Sequence, residues 1–147
     1  MSEVPDDRSS PATVAARFVE AIAWGEHTVV WELLSSAGRS VAISVALTNG
    51  LDRVVAARIS DDVADPVEFV EFLRQLLHGI RRDLRSVDVA EIQIARCDVD
   101  DRTATAHLST PSVIPGTDTW AAGRLFLTAD DHGRWSIDRL EPVIAGP

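Results

Sequence analysis

Residues 65–98 read DPVEFVEFLRQLLHGIRRDLRSVDVAEIQIARCD, and the hydrophobic period changes within this stretch. Asp65 is followed by proline and then by Glu68, which is typical of a helix N-terminus. Apolar residues then recur every three or four positions, at Phe69, Phe72, Leu73, Leu76, Leu77, Ile80 and Leu84. After Ser86 the apolar residues alternate with polar ones, which is typical of a strand. The stretch therefore predicts a long amphipathic helix followed by a sheet.

Alternation continues towards the C-terminus. It predicts four strands, over residues 88–98, 102–110, 118–128 and 134–143. Paired aspartates lie between them, at Asp100-Asp101 and at Asp130-Asp131, where aspartate side chains commonly accept hydrogen bonds from turn amides. Because consecutive strands joined by short connections usually pair, we expect an antiparallel meander.

Towards the N-terminus the sequence predicts helices. Ser10-Pro11 is typical of an N-cap with proline at the first helical position, and Gly25 is typical of a helix C-terminus. A second, shorter helix is predicted over residues 26–34.

Residues 39–59 allow two interpretations. The alternation of Val41, Ile43, Val45 and Leu47 before Asn49-Gly50 is typical of a strand entering a hairpin turn. Leu51, Val54, Val55 and Ile59 instead fall on one helical face, and Asn-Gly also ends helices. We favour two short helices.

The composition is that of one globular domain. The 147 residues are 46% hydrophobic and 25% charged, enough for a core without metal or disulfide support. Residues 1–10 lack periodicity and predict a disordered lead-in. Residues 11–147 predict a single α+β domain, with N-terminal helices packed on a curved antiparallel sheet of about four strands.

Charge and cysteine content exclude several classes of function. The formal net charge of −9 opposes binding to nucleic acid or anionic membranes. Cys97 is the single cysteine, so no intramolecular disulfide can form. No histidine pair has metal-ligand spacing, and no cofactor or metal is expected. Without an apolar run of about 18 residues or a signal-like N-terminus, a cytoplasmic protein is expected.

Two segments near the C-terminus carry a family resemblance. Residues 133–140 read GRWSIDRL, and residues 124–128, in the preceding strand, read RLFLT. With the opening helix and the order of helices before strands, they resemble the nuclear transport factor 2-like (NTF2-like) superfamily of cystatin-like α+β cones. The resemblance implies a fold shared by ketosteroid isomerases, polyketide cyclases, dehydratases, cargo-binding proteins and many bacterial domains. Such a fold does not predict one function.

Strand alternation within such a cone assigns each side chain a face. The inward set is Ile92, Ile94, Ala104, Ala106, Leu108, Ala121, Gly123, Leu125, Leu127, Trp135 and Ile137. The outward set is Thr103, Thr105, His107, Trp120, Arg124 and Phe126. Small inner residues leave room for an apolar ligand or let a helix approach closely. The expected ligand-binding residues are Trp24, Trp31, Ala104, Ala106, Leu125 and Trp135.

The outer face predicts a partner surface. Aromatic side chains exposed on a sheet often mark an interface, and the resemblance implies pairing of such outer faces. We therefore expect a homodimer that uses His107, Trp120, Arg124 and Phe126.

Catalytic signals are few. An isomerase-like site needs a carboxylate base and an oxyanion donor that face one cavity. The candidates are Glu91, Asp138 and His107, and the chain contains no tyrosine. The sequence thus favours a non-catalytic domain that binds an apolar small molecule or a protein. The alternatives are an isomerase, cyclase or dehydratase acting inside the cone, and a purely structural interaction domain.

Overall fold

A computed structural model describes residues 8–84, 88–111 and 119–142, with residues 119 and 120 described in their backbone only. Within these ranges the helices are α1 (Pro11–Trp24), α2 (His27–Leu33), α3 (Ser36–Thr48), α4 (Arg53–Ser60) and α5 (Pro66–Asp83). The strands are β1 (Gln93–Asp100), β2 (Thr103–Pro111), β3 (Thr119–Ala129) and β4 (Trp135–Pro142). The order of helices before strands confirms the α+β prediction.

Side-chain caps start the helices where the sequence predicts them. The Ser10 hydroxyl accepts a hydrogen bond from the Thr13 amide at the start of α1. Gly25 ends α1 with a φ of 76°, a left-handed conformation that glycine adopts without strain. The Asp65 carboxylate accepts from the Val67 amide at the start of α5.

Residues 39–59 form the two helices that the sequence favours. Asn49 caps the end of α3 instead of turning a hairpin. The Asp52 carboxylate accepts from the amides of Val54 and Val55 and so begins α4 at once. This cap distinguishes the two interpretations, because a hairpin would continue as a strand after Gly50.

The sheet is an antiparallel meander in the order β1-β2-β3-β4. β1 begins at Gln93, five residues later than position 88, where the sequence predicts its start. The Asp88 carboxylate accepts from the Ala90 amide and turns Val89–Glu91 into a short 3-10 helix. Glu91 therefore lies outside the sheet.

A β-bulge places one residue on the opposite face of the sheet from the one that the sequence predicts. The register of β2 against β3 shifts between Leu108 and Ser109, which pair with Gly123 and Ala121. The extra residue, Ala122, is buried, whereas Ala121 is exposed although strict alternation predicts it inward. A second bulge, where β4 pairs with β3, makes Asp138 the extra residue.

The core fills the space between the helices and the inner face of the sheet. α1 contacts β1, β2 and β4, and α5 packs behind it against α1 and α2. Phe18 and Ile22 of α1 are almost completely buried, as is Leu73 of α5. Seven of the strand residues that the sequence predicts to face inward are buried: Ala104, Ala106, Leu108, Leu125, Leu127, Trp135 and Ile137.

The chain between α2 and α3 covers the edge of β4. The Ser35 amide donates to the Ile137 carbonyl at 2.8 Å, and Leu34 forms a parallel bridge with the same residue. α3 then crosses so closely that a Cβ on Gly38 would lie 2.5 Å from the Ile137 oxygen. This contact protects an otherwise open strand edge and fixes the start of α3.

The predicted lead-in is partly placed. Arg8 lies against β4, where its carbonyl accepts from the Trp135 amide at 2.8 Å. Residues 1–7 of that lead-in lie outside the described residues. Within the described ranges, none of the helices combines the length and apolarity that a bilayer span requires.

Candidate functional site

A polar groove of about 450 Å³ opens between α2, α3, α4 and the β3–β4 turn. Its lining residues are Arg8, Trp31, Glu32, Leu34, Ser35, Ser36, Arg39, Ser40, Ile43, Ile59, Ser60, Asp62, Asp130, Arg134 and Ser136. Hydroxyl and charged groups dominate this lining, in contrast to the apolar cavity that the sequence predicts.

Trp31, near the end of α2, forms a fixed wall of the groove. Its buried ring packs edge-to-face on Phe69 and Phe72 of α5, at centroid distances of 5.8 and 5.3 Å. The Arg39 guanidinium carbon lies 4.9 Å from the centroid of the Trp31 ring. Stacking of this kind is attractive and restricts both side chains. The aromatic cluster therefore positions a cation in the groove.

Arg39 retains unused hydrogen-bond donors. Its Nε donates to the Trp31 carbonyl at 3.2 Å. Among the residues that the structure describes, none accepts a hydrogen bond from its Nη1 or Nη2. A guanidinium carries five N–H groups, and its planar fork matches a carboxylate or a phosphate. Arg39 can therefore bind an anion without giving up a contact that holds the fold.

The start of α3 fixes the backbone of Arg39. The Ser35 hydroxyl accepts from the Gly38 amide at 3.0 Å and donates to Asp138 Oδ1 at 2.6 Å. The Arg39 amide closes the first turn by donating to the Ser35 carbonyl at 2.8 Å. Because Asp138 belongs to β4, its hydrogen bond with Ser35 ties the start of α3 to the sheet. Arg39 lies in the first turn of α3, next to the positive end of the helix dipole.

Two other charged groups of the groove, Arg8 and Asp130, already serve the fold. Nε and Nη2 of Arg8 donate to the Trp135 carbonyl at 3.1 and 2.9 Å, and its Nη1 donates to the Glu32 carbonyl. Asp130 Oδ1 accepts from the amides of His132 and Arg134. The Arg134 amide is the main cause of the lowered pKa of Asp130. Arg39 thus differs from Arg8 in having unused donors.

The structure does not bring the predicted ligand-binding residues to one cavity. Ala104, Ala106 and Leu125 are 5%, 0% and 0% exposed in the packed core, and Trp135 is also buried. Trp24, at the end of α1, is 78% exposed, and Trp31 alone of the six lines the groove. The small inner residues let α1 approach the sheet, which is the alternative that the sequence left open.

The three catalytic candidates lie on separate elements. Glu91 is exposed on the 3-10 helix, and Asp138 is half-buried where it binds Ser35. His107 faces outward on β2, with Nε2 3.0 Å from Asp98 Oδ2. No described contact joins any two of the three candidates. They do not form the shared acid–base site that the enzyme hypothesis requires.

Cys97 and the acidic side chains give no catalytic or metal centre either. Cys97 is half-buried, and its burial, together with Asp98, raises the thiol pKa, so the reactive thiolate is disfavoured. Across the described part of the chain, no three His, Cys, Asp or Glu side chains gather as metal ligands. There, too, each buried side-chain nitrogen or oxygen has a hydrogen-bond partner.

The outer face of the sheet is polar where its side chains are described. The Arg139 and Arg124 guanidinium carbons lie 4.3 and 5.3 Å from the Phe126 ring centroid. Arg124 also pairs with Glu141 and lowers its pKa. His107, with Arg96, lowers the pKa of Asp98. These residues face outward as predicted, the Trp120 side chain lies outside the described part, and the dimer role of this face stays a prediction.

Arg39, Ser35 and the groove itself were missed from the sequence. A signal was present, since Arg39 is the only charged residue between Glu32 and Asp52. An isolated charge in a long neutral segment suggests a specific partner for that charge. The stacked partner, Trp31, could not be identified without the packing of α2 against α5.

No protein-family model matches the chain, and no curated protein matches it. A solved structure with a similar fold is a Campylobacter jejuni protein provisionally described as an NTF2-like transpeptidase. It is 15% identical, and the match covers 87% of this chain and 96% of that one, with a TM-score of 0.47.

Proposed function

We propose that this protein is a non-catalytic binding domain that takes a small polar molecule with an anionic group into the groove beside Arg39. The observation that carries the proposal is the guanidinium of Arg39, which is stacked on Trp31 and has Nη donors that no described residue uses. A cation held in place before binding loses little conformational freedom when a ligand arrives.

The surroundings of Arg39 suit a ligand that carries other polar groups in addition to its anionic group. Ser36, Ser40 and Ser60 supply hydroxyls that can donate or accept. The lining contains three arginines and three carboxylates, in a chain whose formal net charge is −9. The groove is therefore less acidic than the average surface of the protein. Its volume of about 450 Å³ corresponds to a small metabolite.

The packed interior argues against the apolar ligand that the sequence favours. Phe18, Ile22 and Leu73 are almost completely buried in the same core cluster as Ala106 and Leu125. Binding in the groove needs no rearrangement of this core. The groove therefore takes the place of the interior as the proposed ligand site.

The three catalytic candidates lie on separate elements, and this favours binding over catalysis. Of the three, only Asp138 has a described hydrogen bond to a residue that lines the groove. Its carboxylate accepts a hydrogen bond from the Ser35 hydroxyl at 2.6 Å. That hydrogen bond supports the start of α3. An isomerase-type reaction would need a base facing the substrate.

We expect the substitution Arg39→Gln to weaken ligand binding. Native mass spectrometry of freshly purified protein would identify any bound compound by mass. Calorimetric titration would then use that compound, or citrate, glutamate and phosphate monoesters, with glycerol as the uncharged comparison. Loss of one charge-assisted, bidentate contact corresponds to about a tenfold or larger increase in Kd.

Arg74→Gln is the matched control, because Arg74 is exposed on α5 and makes no described hydrogen bond. It changes the net charge equally and should leave Kd unchanged. Equal weakening by both substitutions would reduce the effect to general electrostatics. Unchanged binding in Arg39→Gln, or no binding of any anionic compound, would contradict the proposal.

A further inference from the structure

A second cleft, of about 630 Å³ and mainly apolar, lies between α3 and α4, and we call it the α3–α4 cleft. Its apolar lining residues are Ile43, Leu47 and Leu51, from α3 and the turn after it, and Ala56 and Ala57 from α4. Ile43 and Leu51 also pack against the core, and Ala56 is 4% exposed, so these three residues are held in place by the fold. The volume of the cleft is that of a small-molecule site.

The α3–α4 cleft continues the groove that contains Arg39. Ile43 and Ser60 line both spaces. Along α3, Ser40, Ile43 and Leu47 are three and four residues apart, and Arg39 lies one turn before Ile43. One face of the helix therefore lines both spaces. The two form a single trough that is polar beside Arg39 and apolar beside Leu47.

The connection between α3 and α4 fixes the shape of the cleft without a ligand. The Leu51 amide donates to the Ala46 carbonyl at 2.9 Å, and the Asp52 carboxylate caps the start of α4. The Thr48 hydroxyl, which lines the cleft, already donates to the Ser44 carbonyl at 3.1 Å. A preformed site of this kind loses little conformational freedom when it is occupied.

An aliphatic chain suits this cleft when it is joined to an anionic group in the groove. Burying methylene groups against apolar side chains is favourable, whereas a polar group would lose hydrogen bonds to water. A chain attached to a group already bound at Arg39 also enters without a second loss of translational freedom. A separate protein partner gains no such advantage, and a standard interface needs roughly 800 Å² from each partner.

Arg39 is a better anion partner for such a ligand than Arg53, which also lines the cleft. Arg53 is exposed and makes no hydrogen bond with a described residue. Arg39 is stacked on Trp31 and is therefore oriented before the ligand binds.

We propose that the ligand is an aliphatic carboxylate, with its carboxylate on Arg39 and its chain in the α3–α4 cleft. This inference rests on the proposed function, because the anionic group bound in the groove brings the chain to the cleft. Arg39 and Leu47 are separated by about 12 Å along the helix axis, and extended octanoate has a similar length. Further polar groups of the ligand lie next to its carboxylate, among the serines of the groove.

Calorimetric titration with acetate, butanoate, hexanoate and octanoate tests this inference. We expect Kd to fall about twofold to fourfold for each added methylene, because the cleft removes that methylene from water. Octanol, which has the chain without the charge, should bind at least about tenfold more weakly than octanoate. Equal binding of octanol and octanoate would contradict the pairing of the cleft with Arg39.

Leu47→Gln makes the cleft polar, and Val45→Gln is its matched control on α3, outside the cleft lining. Leu47 is 37% exposed and Val45 is 54% exposed, so both variants should fold, which circular dichroism checks. Leu47→Gln should weaken octanoate binding about fivefold or more and leave the Kd of citrate unchanged. Val45→Gln should change neither. Ala57→Gln, at an exposed position of α4, repeats the test from the other wall of the cleft.

The failure of this inference can be distinguished from the failure of the proposed function. If no anionic compound binds, the proposed function fails and this inference fails with it. If citrate or acetate binds but added methylenes leave Kd unchanged, this inference alone is overturned. Equal weakening of octanoate binding by Leu47→Gln and Val45→Gln would overturn it as well.

Discussion

Asp130 holds the turn between β3 and β4 through a single carboxylate oxygen. Its Oδ1 accepts from the amides of His132 and Arg134 at 2.8 and 2.9 Å. The sequence predicts this role, since aspartate pairs in turns commonly accept hydrogen bonds from backbone amides. The ionised form makes the stronger hydrogen bonds, and the pKa of Asp130 is lowered accordingly, first by the Arg134 amide and then by the His132 amide.

The lowered pKa of Asp130 gives its contribution to stability a defined pH dependence. When the folded pKa lies below the unfolded value, which is about 3.9, the contribution is present above that value. It is lost as the pH falls through the folded pKa. We therefore expect Asp130→Asn to be less stable than the unaltered chain at pH 7, with the difference shrinking as the pH falls below the unfolded pKa of about 3.9. Urea unfolding at several pH values measures this.

Asp101→Asn is the control for that experiment. Asp101 also lies in a turn, with a φ of 56° that asparagine tolerates, and accepts no hydrogen bond from a described residue. Its substitution should not remove the same stabilisation at pH 7. If the two variants lose stability alike at every pH, the Asp130 amide contacts do not stabilise the turn as argued.

At the scale of elements, the position of α3 depends on one close approach to β4. A Cβ at residue 38 would lie 2.5 Å from the Ile137 oxygen and 3.1 Å from the Asp138 oxygen. These are backbone atoms that cannot move aside as a side chain can. Glycine at this position is therefore required by space, and α3 could not keep its contact with the sheet otherwise.

We expect Gly38→Ala to destabilise the protein by about 1–3 kcal/mol, because the helix must shift away from the sheet edge. The shift should also displace Arg39 and weaken binding in the groove.

Gly79→Ala in α5 is the control, and we expect it to change the free energy of unfolding in the opposite direction. A Cβ there meets nothing within 4 Å, so it should stabilise by about 0.5–1 kcal/mol. Chemical denaturation of the two variants compares them directly, and an unchanged stability in Gly38→Ala would contradict the close approach.

The elements were predictable to the extent that local signals determine them. The caps at Ser10 and Asp65 and the stripe of α5 need only neighbouring residues, and they locate α1 and α5 correctly. The bulge at Ala122 depends on how two strands pair, so alternation placed Ala121 on the wrong face. The site was less predictable still. Its central contact joins Arg39 of α3 to Trp31 of α2, and Trp31 is fixed by α5.

At the scale of the whole molecule, the α+β arrangement places the groove at one edge of the core, and Trp31 belongs to both. The inner face of the sheet is covered by α1, with α5 behind it. The groove lies beside the edge strand β4 and is lined from α2, α3, α4 and the β3–β4 turn. Because the groove lies at this edge, its polar groups can change without loss of packing on the inner face of the sheet. That packing also explains why small residues on the inner face do not imply a ligand.

The filled interior gives the last prediction. Leu125, at the centre of the sheet, is completely buried, so Leu125→Ala should remove packed atoms and leave a cavity. We expect a loss of about 2–5 kcal/mol in the free energy of unfolding. Val67→Ala, at an exposed position, should change it by no more than about 0.5 kcal/mol. If Leu125→Ala instead costs less than about 1 kcal/mol, well below that range, the interior has spare volume. The apolar ligand cavity predicted from the sequence would then replace the groove as the candidate site.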